Sequence, residues 1–212
     1  AWDDIVEEYG APQSAAGLPA NYAVFGLGKM GGSALGYASD IELMVIYSDH
    51  GATTGSDQRA TMSNREFFER LVRRATEAIH TRREAIFEVD LRLRPYGQDG
   101  PRAVHIESFI EYFGPTGKAH SAERLALIRL RHVAGNQELG RRITTIRDQL
   151  VYESNSIEVA EIRSLRERQA EQKAGGGAVN AKFSPGALVD LEYNVQLLQV
   201  EEGRHEPTLR NP

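Results

Sequence analysis

The sequence predicts an α+β domain followed by an all-helical region. Three observations support this prediction. Two short runs rich in Val, Ile, Phe and Tyr lie on either side of a glycine cluster. A later run alternates apolar and polar residues, and the second half of the chain repeats apolar residues at helical spacing. We place a soft boundary near Phe113, with an α+β part over residues 1–113 and a helical part over residues 114–212.

The composition is that of an ordinary soluble globular protein, with 41% apolar and 26% charged residues in a chain of 212. No apolar run approaches the roughly 20 residues that a membrane span needs, and the first residues lack the regions of a signal peptide. We therefore expect a cytoplasmic protein with no membrane partner. The chain starts without Met and stops just after a helical pattern, so we interpret it as a piece of a larger protein whose helical part is truncated.

Charge and cysteine content exclude several classes of function. The net charge of −5 argues against duplex nucleic acid as a partner, because such binding needs a broad basic face. The absence of cysteine excludes disulfides, thiolate zinc sites and a cysteine nucleophile. Any metal must therefore sit on carboxylates or histidines.

The first half of the chain predicts strands around a glycine-rich turn. Tyr22–Phe25 is a short buried strand that ends at Gly26–Gly32, the glycine turn, where the backbone can approach its neighbours closely. A short helix or loop is expected over Ser33–Ala38. Ile41–Tyr47 follows as a second strand, and Ser48–Ser56 is predicted to be a loop.

A helix and a third strand complete the α+β part. Ser63 and Glu66 form a capping box that begins a helix, and its apolar positions should pack on the sheet. Those positions are Phe67, Phe68, Leu71, Val72, Ala75 and Ile79. The segment Ile86–Arg94 alternates apolar and polar residues and reads as a strand ended by Pro95 and Gly97.

From about residue 106 the helical period dominates. Helices are predicted over Leu125–Val133, Leu139–Val151, Val159–Lys173 and Leu188–Val200, with a break at Gly175–Gly177.

Three carboxylates are predicted to converge near the glycine turn. Asp40 and Glu42 lie two residues apart on one strand and therefore share a face, and Asp90 shares the polar face of the alternating strand with Arg92 and Arg94. If the two strands are neighbours, the carboxylates meet. Carboxylate oxygens suit a hard cation such as magnesium, glycines let amides approach phosphates, and arginine matches phosphate geometry. Each feature alone has a structural explanation, a strand edge or a solvated face, and only their joint occurrence favours phosphoryl chemistry.

The same residues carry a resemblance to a known superfamily. Gly31–Ser33, Asp40–Glu42 and Asp90 resemble the pattern of the DNA polymerase beta nucleotidyltransferases. Longer segments look like the family of glutamine synthetase adenylyltransferases, with a resemblance that runs from about residue 22 to 198. These segments are 25–32 with 35–40, 88–97, 126–135 and 185–193.

The resemblance implies a fold, a reaction and partners. The fold would be a DNA polymerase beta-like core, a mixed or antiparallel sheet with flanking helices over residues 1–113, followed by a helical domain over 114–212. The reaction would be magnesium-dependent transfer of AMP from ATP to a tyrosine of glutamine synthetase, regulating nitrogen assimilation, with two magnesium ions. A PII-type signal protein would be a further partner.

The resemblance also implies residue roles. Asp40, Glu42 and Asp90 would bind the metal, and Asp90 would also help to deprotonate the tyrosine. Contacts to the ATP phosphates would come from Gly31, Gly32, Ser33, Arg92 and Arg94, with Lys29 as a further candidate.

Two alternatives remain open. Members of the family are bifunctional, and a related domain removes AMP by phosphorolysis; several segments here, among them Glu88–Asp90, favour the transferase. Glu42 stands where the family usually has Asp, and Ala187 where it usually has Gly. These two departures leave open a catalytically weak regulatory module that binds nucleotide or a partner protein.

Several other polar residues receive structural roles. The six histidines are scattered without metal-ligand spacing, and surface or structural roles are expected for them. Asp190 and Glu192 are expected on a solvated helical face. The basic runs Arg129–Arg131 and Arg141–Arg142 are expected to be mostly solvated, with contact to an acidic partner as the alternative.

Overall fold

The computed structural model describes residues 1–37, 39–57, 59–82, 88–173 and 179–211. The chain forms two compact units. The first comprises residues 1–112 and 129–146, and the second comprises residues 113–128 and 147–211. Within the described ranges no helix is both long and apolar enough to cross a membrane.

In its described residues the first unit combines seven strands with helices. The strands are β1 (Pro12–Ser14), β2 (Tyr22–Gly26), β3 (Ile41–Tyr47), β4 (Gly51–Thr53), β5 (Val89–Asp90), β6 (Ala103–His105) and β7 (Arg131–Gly135). The helices are α1 (Trp2–Tyr9), α2 (Gly28–Gly31), α3 (Asn64–Arg82) and α4 (Ile106–Phe113), and α6 (Gln137–Asp148) follows β7. The α+β class predicted from the sequence is therefore confirmed.

A mixed five-stranded sheet positions the candidate site. Its order is β5-β3-β2-β7, and β6 also pairs with β3. The strands β2 and β7 run antiparallel to their neighbours β3 and β2. Both β5 and β6 run parallel to β3, β5 beside its first residues and β6 beside its last. The start of β3 therefore lies between the end of β2 and the short strand β5.

Helix α3 packs on this sheet through its first half, as its spacing of apolar residues predicts, but the predicted packing of Ile79 is wrong, because this side chain near the end of the helix is 39% exposed. Phe67 and Phe68 are fully buried, and the ring of Phe68 stacks on Tyr47 of β3 at 4.8 Å between centroids. One half of the predicted capping box is present, since the backbone N–H of Glu66 donates to the Ser63 hydroxyl at 3.2 Å, whereas the Glu66 carboxylate accepts from Arg70 at 2.8 Å. Helix α1, which the sequence analysis did not predict, adds Ile5 and Tyr9 to the same core. The burial of these side chains is the main driving force for this unit.

The second unit is helical. It contains α5 (Ser121–Ala126), a π-helical turn over Gln149–Glu153, α7 (Val159–Lys173) and α8 (Leu188–Gly203). Three buried arginines tie these elements together. Arg124 donates to the carbonyls of Phe113, Gly114, Gly117 and Ser156, and Arg147 donates to those of Leu127, Ile128 and Arg210. Arg166 of α7 forms a bidentate ion pair with Asp190 of α8.

Asp190 therefore has a structural role rather than a place on a solvated face. Its carboxylate also accepts the N–H of Gly186 at 2.6 Å, just before α8 begins. Gly186 adopts a left-handed φ of 78°, whereas Ala187 has φ −84°, which alanine adopts without strain. The Ala187 departure from the family pattern is thus tolerated by the backbone.

The predicted strand over Ile86–Arg94 is wrong at its C-terminal end. Residues 86 and 87 lie outside the described residues, and the strand contains only Val89 and Asp90. The reason is a local turn: the Asp90 carboxylate accepts the backbone N–H of Arg92 at 2.8 Å, which competes with a strand hydrogen bond.

The predicted helix over Leu125–Val133 is also wrong beyond Arg129. The chain forms a 3-10 turn at Leu127–Arg129 and then strand β7, which pairs with β2. Pairing with a strand that is distant in sequence overrides the local helical spacing. Within the predicted loop Ser48–Ser56, Gly51–Thr53 forms β4, paired with β1. The predicted break at residues 175–177 lies outside the described residues, whereas α7 and α8 confirm the helices expected there.

Candidate functional site

The structure pairs the two acidic strands, which the sequence analysis gave only as a condition. Glu42 of β3 lies directly beside Asp90 of β5 in a parallel register, and the N–H of Ile41 donates to the carbonyl of Glu88 at 2.7 Å. Asp40 is exposed and comes one residue before β3 begins. We call Asp40, Glu42 and Asp90 the carboxylate cluster. Glu42 and Asp90 belong to neighbouring strands of the first unit, and Asp40 directly precedes β3.

The charges of this cluster act on one another. Burial raises the pKa of Glu42, and the negative charges of Asp90 and Asp40 raise it further. Crowded carboxylates repel one another, and a bound divalent cation would offset that repulsion. The donor set is made of oxygen atoms only, which fits a hard cation such as magnesium better than a transition metal.

Asp90 is held by its neighbour. The Arg92 side chain donates to both carboxylate oxygens of Asp90, with distances between 2.5 and 3.0 Å. These hydrogen bonds hold the pKa of Asp90 below its ordinary value. Because Arg92 is itself 65% exposed, it can reach a ligand in solvent while it contacts Asp90.

Arg94 lies in a different environment from Arg92. Its side chain is buried and donates to the carbonyls of Leu91, Gln98 and Gly100 at 2.6, 3.2 and 3.1 Å. The guanidinium thus holds together the loop that follows β5. Its predicted contact with phosphate stays a prediction, although the hydrogen bonds give it a structural role.

The glycine turn confirms the predicted close approach of backbone. Gly28 has φ 50°, and a Cβ atom at this position would overlap the carboxylate of Glu42. That carboxylate accepts a hydrogen bond from the backbone N–H of Lys29. Ser33 follows with φ 55°, a left-handed conformation that residues other than glycine rarely adopt. Such backbone conformations are frequent at binding sites.

A segment before β7 closes the other side of the turn. A Cβ atom at Gly31 would overlap the carbonyl oxygen of Arg129, so only glycine fits there. Arg131 donates to the carbonyl of Met30 at 2.6 Å. The side chain of Arg129 lies against Gly32, and its positive charge acts on Glu42. The sequence analysis did not select Arg129, because helical spacing concealed its position beside a turn about 100 residues away.

An open cavity of ≈ 420 Å³ adjoins the carboxylate cluster. Its lining includes Asp40, Asp90, Arg92, Arg94 and Arg102. Both anionic and cationic groups therefore face the same space, an arrangement that can hold a cation and phosphate groups together.

The structure also brings two histidines together. The rings of His50 and His105 stack at 3.7 Å, and with Glu107 they form a group whose possible ligand atoms lie within 4.8 Å of one another. His105 is buried, accepts the N–H of Glu107 and donates to the carbonyl of Ser48. Its burial and these contacts favour the structural role expected for it.

Comparisons with known proteins identify the family of this chain. An α+β unit with a glycine turn beside clustered carboxylates defines a candidate site for phosphate chemistry. A family model described as glutamate-ammonia ligase adenylyltransferase matches residues 1–146. The chain therefore belongs to this family.

Curated relatives carry the name bifunctional glutamine synthetase adenylyltransferase/adenylyl-removing enzyme. The relative from Hahella chejuensis is 32% identical over 98% of this chain, and that from Shewanella frigidimarina is 31% identical over 99%. A third, from Shewanella oneidensis, is 30% identical over 99%. The chain spans 22% of the length of each of these relatives.

Proposed function

We propose that this chain transfers AMP from ATP to a tyrosine of glutamine synthetase and so regulates nitrogen assimilation. The observation that carries the proposal is the register of β3 and β5, which sets Glu42 beside Asp90, with Asp40 two residues earlier and the glycine turn adjacent. Its membership of the adenylyltransferase family supports the choice of reaction and protein substrate. A DNA polymerase beta-like fold for the first unit is part of the proposal.

The carboxylate cluster is proposed to hold magnesium, as two ions. Magnesium, when bound, would neutralise phosphate charge and stabilise the attacking and leaving oxygens. Asp40 and Glu42 would serve as ligands from β3, and Asp90 from β5. The glycine turn and Ser33 would position the triphosphate, since glycine allows backbone amides to come close to phosphate oxygens.

Arg92 and Asp90 are proposed to act together. Arg92 holds both carboxylate oxygens of Asp90 and lowers its pKa, and Asp90 would serve as a metal ligand in its ionised form. The same contact makes Asp90 a weak base. Deprotonation of the tyrosine by Asp90 would therefore require Arg92 to turn from Asp90 towards the phosphates. A PII-type signal protein is kept in the proposal as a regulatory partner.

The direct test is incorporation of label from ATP. The intact protein would be incubated with α-labelled ATP, magnesium and unmodified glutamine synthetase, next to Asp40→Asn and the exposed control Asp57→Asn. We expect label on glutamine synthetase with the wild type and with Asp57→Asn, and a loss of at least about 100-fold with Asp40→Asn, since a metal ligand is removed. Circular dichroism would establish that all three proteins are folded.

Two outcomes would contradict the proposal. Undiminished labelling by Asp40→Asn would show that the carboxylate cluster is not the site. Release of ADP from adenylylated glutamine synthetase, dependent on inorganic phosphate and without forward labelling, would assign the removing reaction instead.

A further inference from the structure

Arg129 differs from the other arginines of the site because its guanidinium has no structural partner. Arg92 is bound to Asp90, Arg94 to three loop carbonyls, and Arg131 to the carbonyl of Met30. Among the described residues, no hydrogen bond or ion pair engages the side chain of Arg129. Arg129 is only partly buried and its charge is attracted to Glu42, but no hydrogen bond from the described residues fixes its guanidinium, so the N–H donors stay available for a ligand.

The backbone holds Arg129 in this position. Its carbonyl oxygen lies so close to Gly31 that any side chain there would overlap it, and its Cδ and Nε lie 3.6 and 3.8 Å from the place of a Cβ at Gly32. Two residues further on, Arg131 donates a hydrogen bond to the carbonyl of Met30 and so holds the same segment against the turn. Two consecutive glycines thus allow the arginine to lie directly on the turn.

The order of strands places Arg129 opposite the carboxylate cluster. The cluster belongs to β3 and β5, the glycine turn follows β2, and Arg129 precedes β7, which pairs with β2 on its other side. The charge of Arg129 is nevertheless close enough to act on Glu42. A chain of phosphates that begins at the cluster and crosses the turn would end at Arg129.

We propose that Arg129 binds the β- and γ-phosphates of the nucleotide and stabilises the departing pyrophosphate. This inference rests on the proposed AMP transfer. In that reaction the tyrosine oxygen bonds to the α-phosphorus, the bond from that phosphorus to the bridging oxygen breaks, and pyrophosphate leaves with the electron pair. The tyrosine proton passes to a site carboxylate or to water. Guanidinium matches phosphate oxygens in a bidentate geometry, so it suits the leaving group.

The test compares ligands that differ only in their phosphates. Binding of ATP, AMP and pyrophosphate in the presence of magnesium would be measured by calorimetry for the intact wild type, Arg129→Met, Arg129→Lys and the control Arg142→Met. Arg142 is exposed on α6 of the same unit, and the control makes the same change in net charge. We expect Arg129→Met to weaken ATP and pyrophosphate about tenfold or more, and AMP by less than about twofold. Lysine should restore part of the loss, because it keeps the charge without the bidentate geometry.

The outcomes separate this inference from the proposed function. Equal weakening of ATP and AMP by Arg129→Met, or no weakening of either, would overturn the role of Arg129. The AMP-transfer proposal would survive that result if Asp40→Asn still abolished labelling. A wild type that binds ATP no more tightly than AMP would count against both. If Arg129→Met does not fold, the Arg129→Lys variant tests the inference instead. Wild-type affinity of Arg129→Lys for ATP would overturn bidentate binding by Arg129.

Discussion

Replacing Arg94 by Met should destabilise the first unit. The substitution removes hydrogen bonds from a buried guanidinium to the carbonyls of Leu91, Gln98 and Gly100. At about 1 kcal/mol net for each hydrogen bond, the three together contribute about 3 kcal/mol. Burial also lowers the pKa of Arg94, a sign that keeping its charge inside the protein has a cost. The expected loss is therefore about 2–3 kcal/mol.

Urea unfolding followed by tryptophan fluorescence measures this loss. The single tryptophan, Trp2, packs on Tyr22 and Phe67 within the first unit, so its emission reports on the unit that contains Arg94. Arg102→Met is the matched control, because its side chain is 52% exposed and its ion pair with a glutamate is 3.9 Å long. We expect the control to change stability by less than about 0.5 kcal/mol. A similarly small change for Arg94→Met, together with weakened binding of ATP, would refute the structural role and restore Arg94 as a phosphate ligand.

Three further predictions follow from the same contacts. Gly31→Ala should cost about 1–3 kcal/mol in urea unfolding, because its methyl group would overlap the backbone of Arg129; wild-type stability would mean that the turn is looser than described. Arg166→Met should cost about 3 kcal/mol by far-ultraviolet circular dichroism, since it leaves Asp190 unpaired, and a neutral effect would contradict the role of that pair. Burial lowers the pKa of His105, so on acidification the imidazole is protonated in the unfolded chain before it is protonated in the folded protein. The stabilisation that depends on neutral His105 is therefore complete above about pH 6.5 and is lost as the pH falls through the folded-state pKa. A His105→Gln variant should have a smaller loss of stability in urea between about pH 7.5 and about pH 5.5, and an unchanged loss would exclude His105 as the source.

Local patterns predicted those parts of the site that depend on neighbouring residues. The spacing of Asp40 and Glu42 placed them on one face, and the glycine turn predicted close backbone approach. The β3–β5 pairing could be stated only as a condition, because no local pattern specifies which strands are neighbours. In the structure the pairing covers only two residue pairs, so its signal in the sequence is short.

Long-range contacts account for the parts that the sequence did not predict. The segment before β7 reads as helical because apolar residues recur there, yet pairing with β2 determines its conformation. The position of Arg129 depends on that pairing and is invisible without it. The end of the strand after Asp90 was misjudged for a different reason. Apolar and polar residues continue to alternate through Leu91 and Arg92. The chain turns there because the Asp90 carboxylate accepts a hydrogen bond from the backbone N–H of Arg92.

The glutamate at position 42 is best understood together with Gly28. Its carboxylate rests on Gly28, in space that any side chain at position 28 would fill, and accepts the N–H of Lys29. An aspartate in its place would be shorter by one methylene group, about 1.5 Å of reach. The longer glutamate side chain therefore links the carboxylate cluster to the glycine turn, and a shorter aspartate would not reach the turn. Since the turn is where the phosphates are proposed to bind and the cluster is where the metal is proposed to bind, Glu42 lies between the two halves of the proposed site. We expect this position to account for a glutamate rather than an aspartate at residue 42 as part of the site's construction.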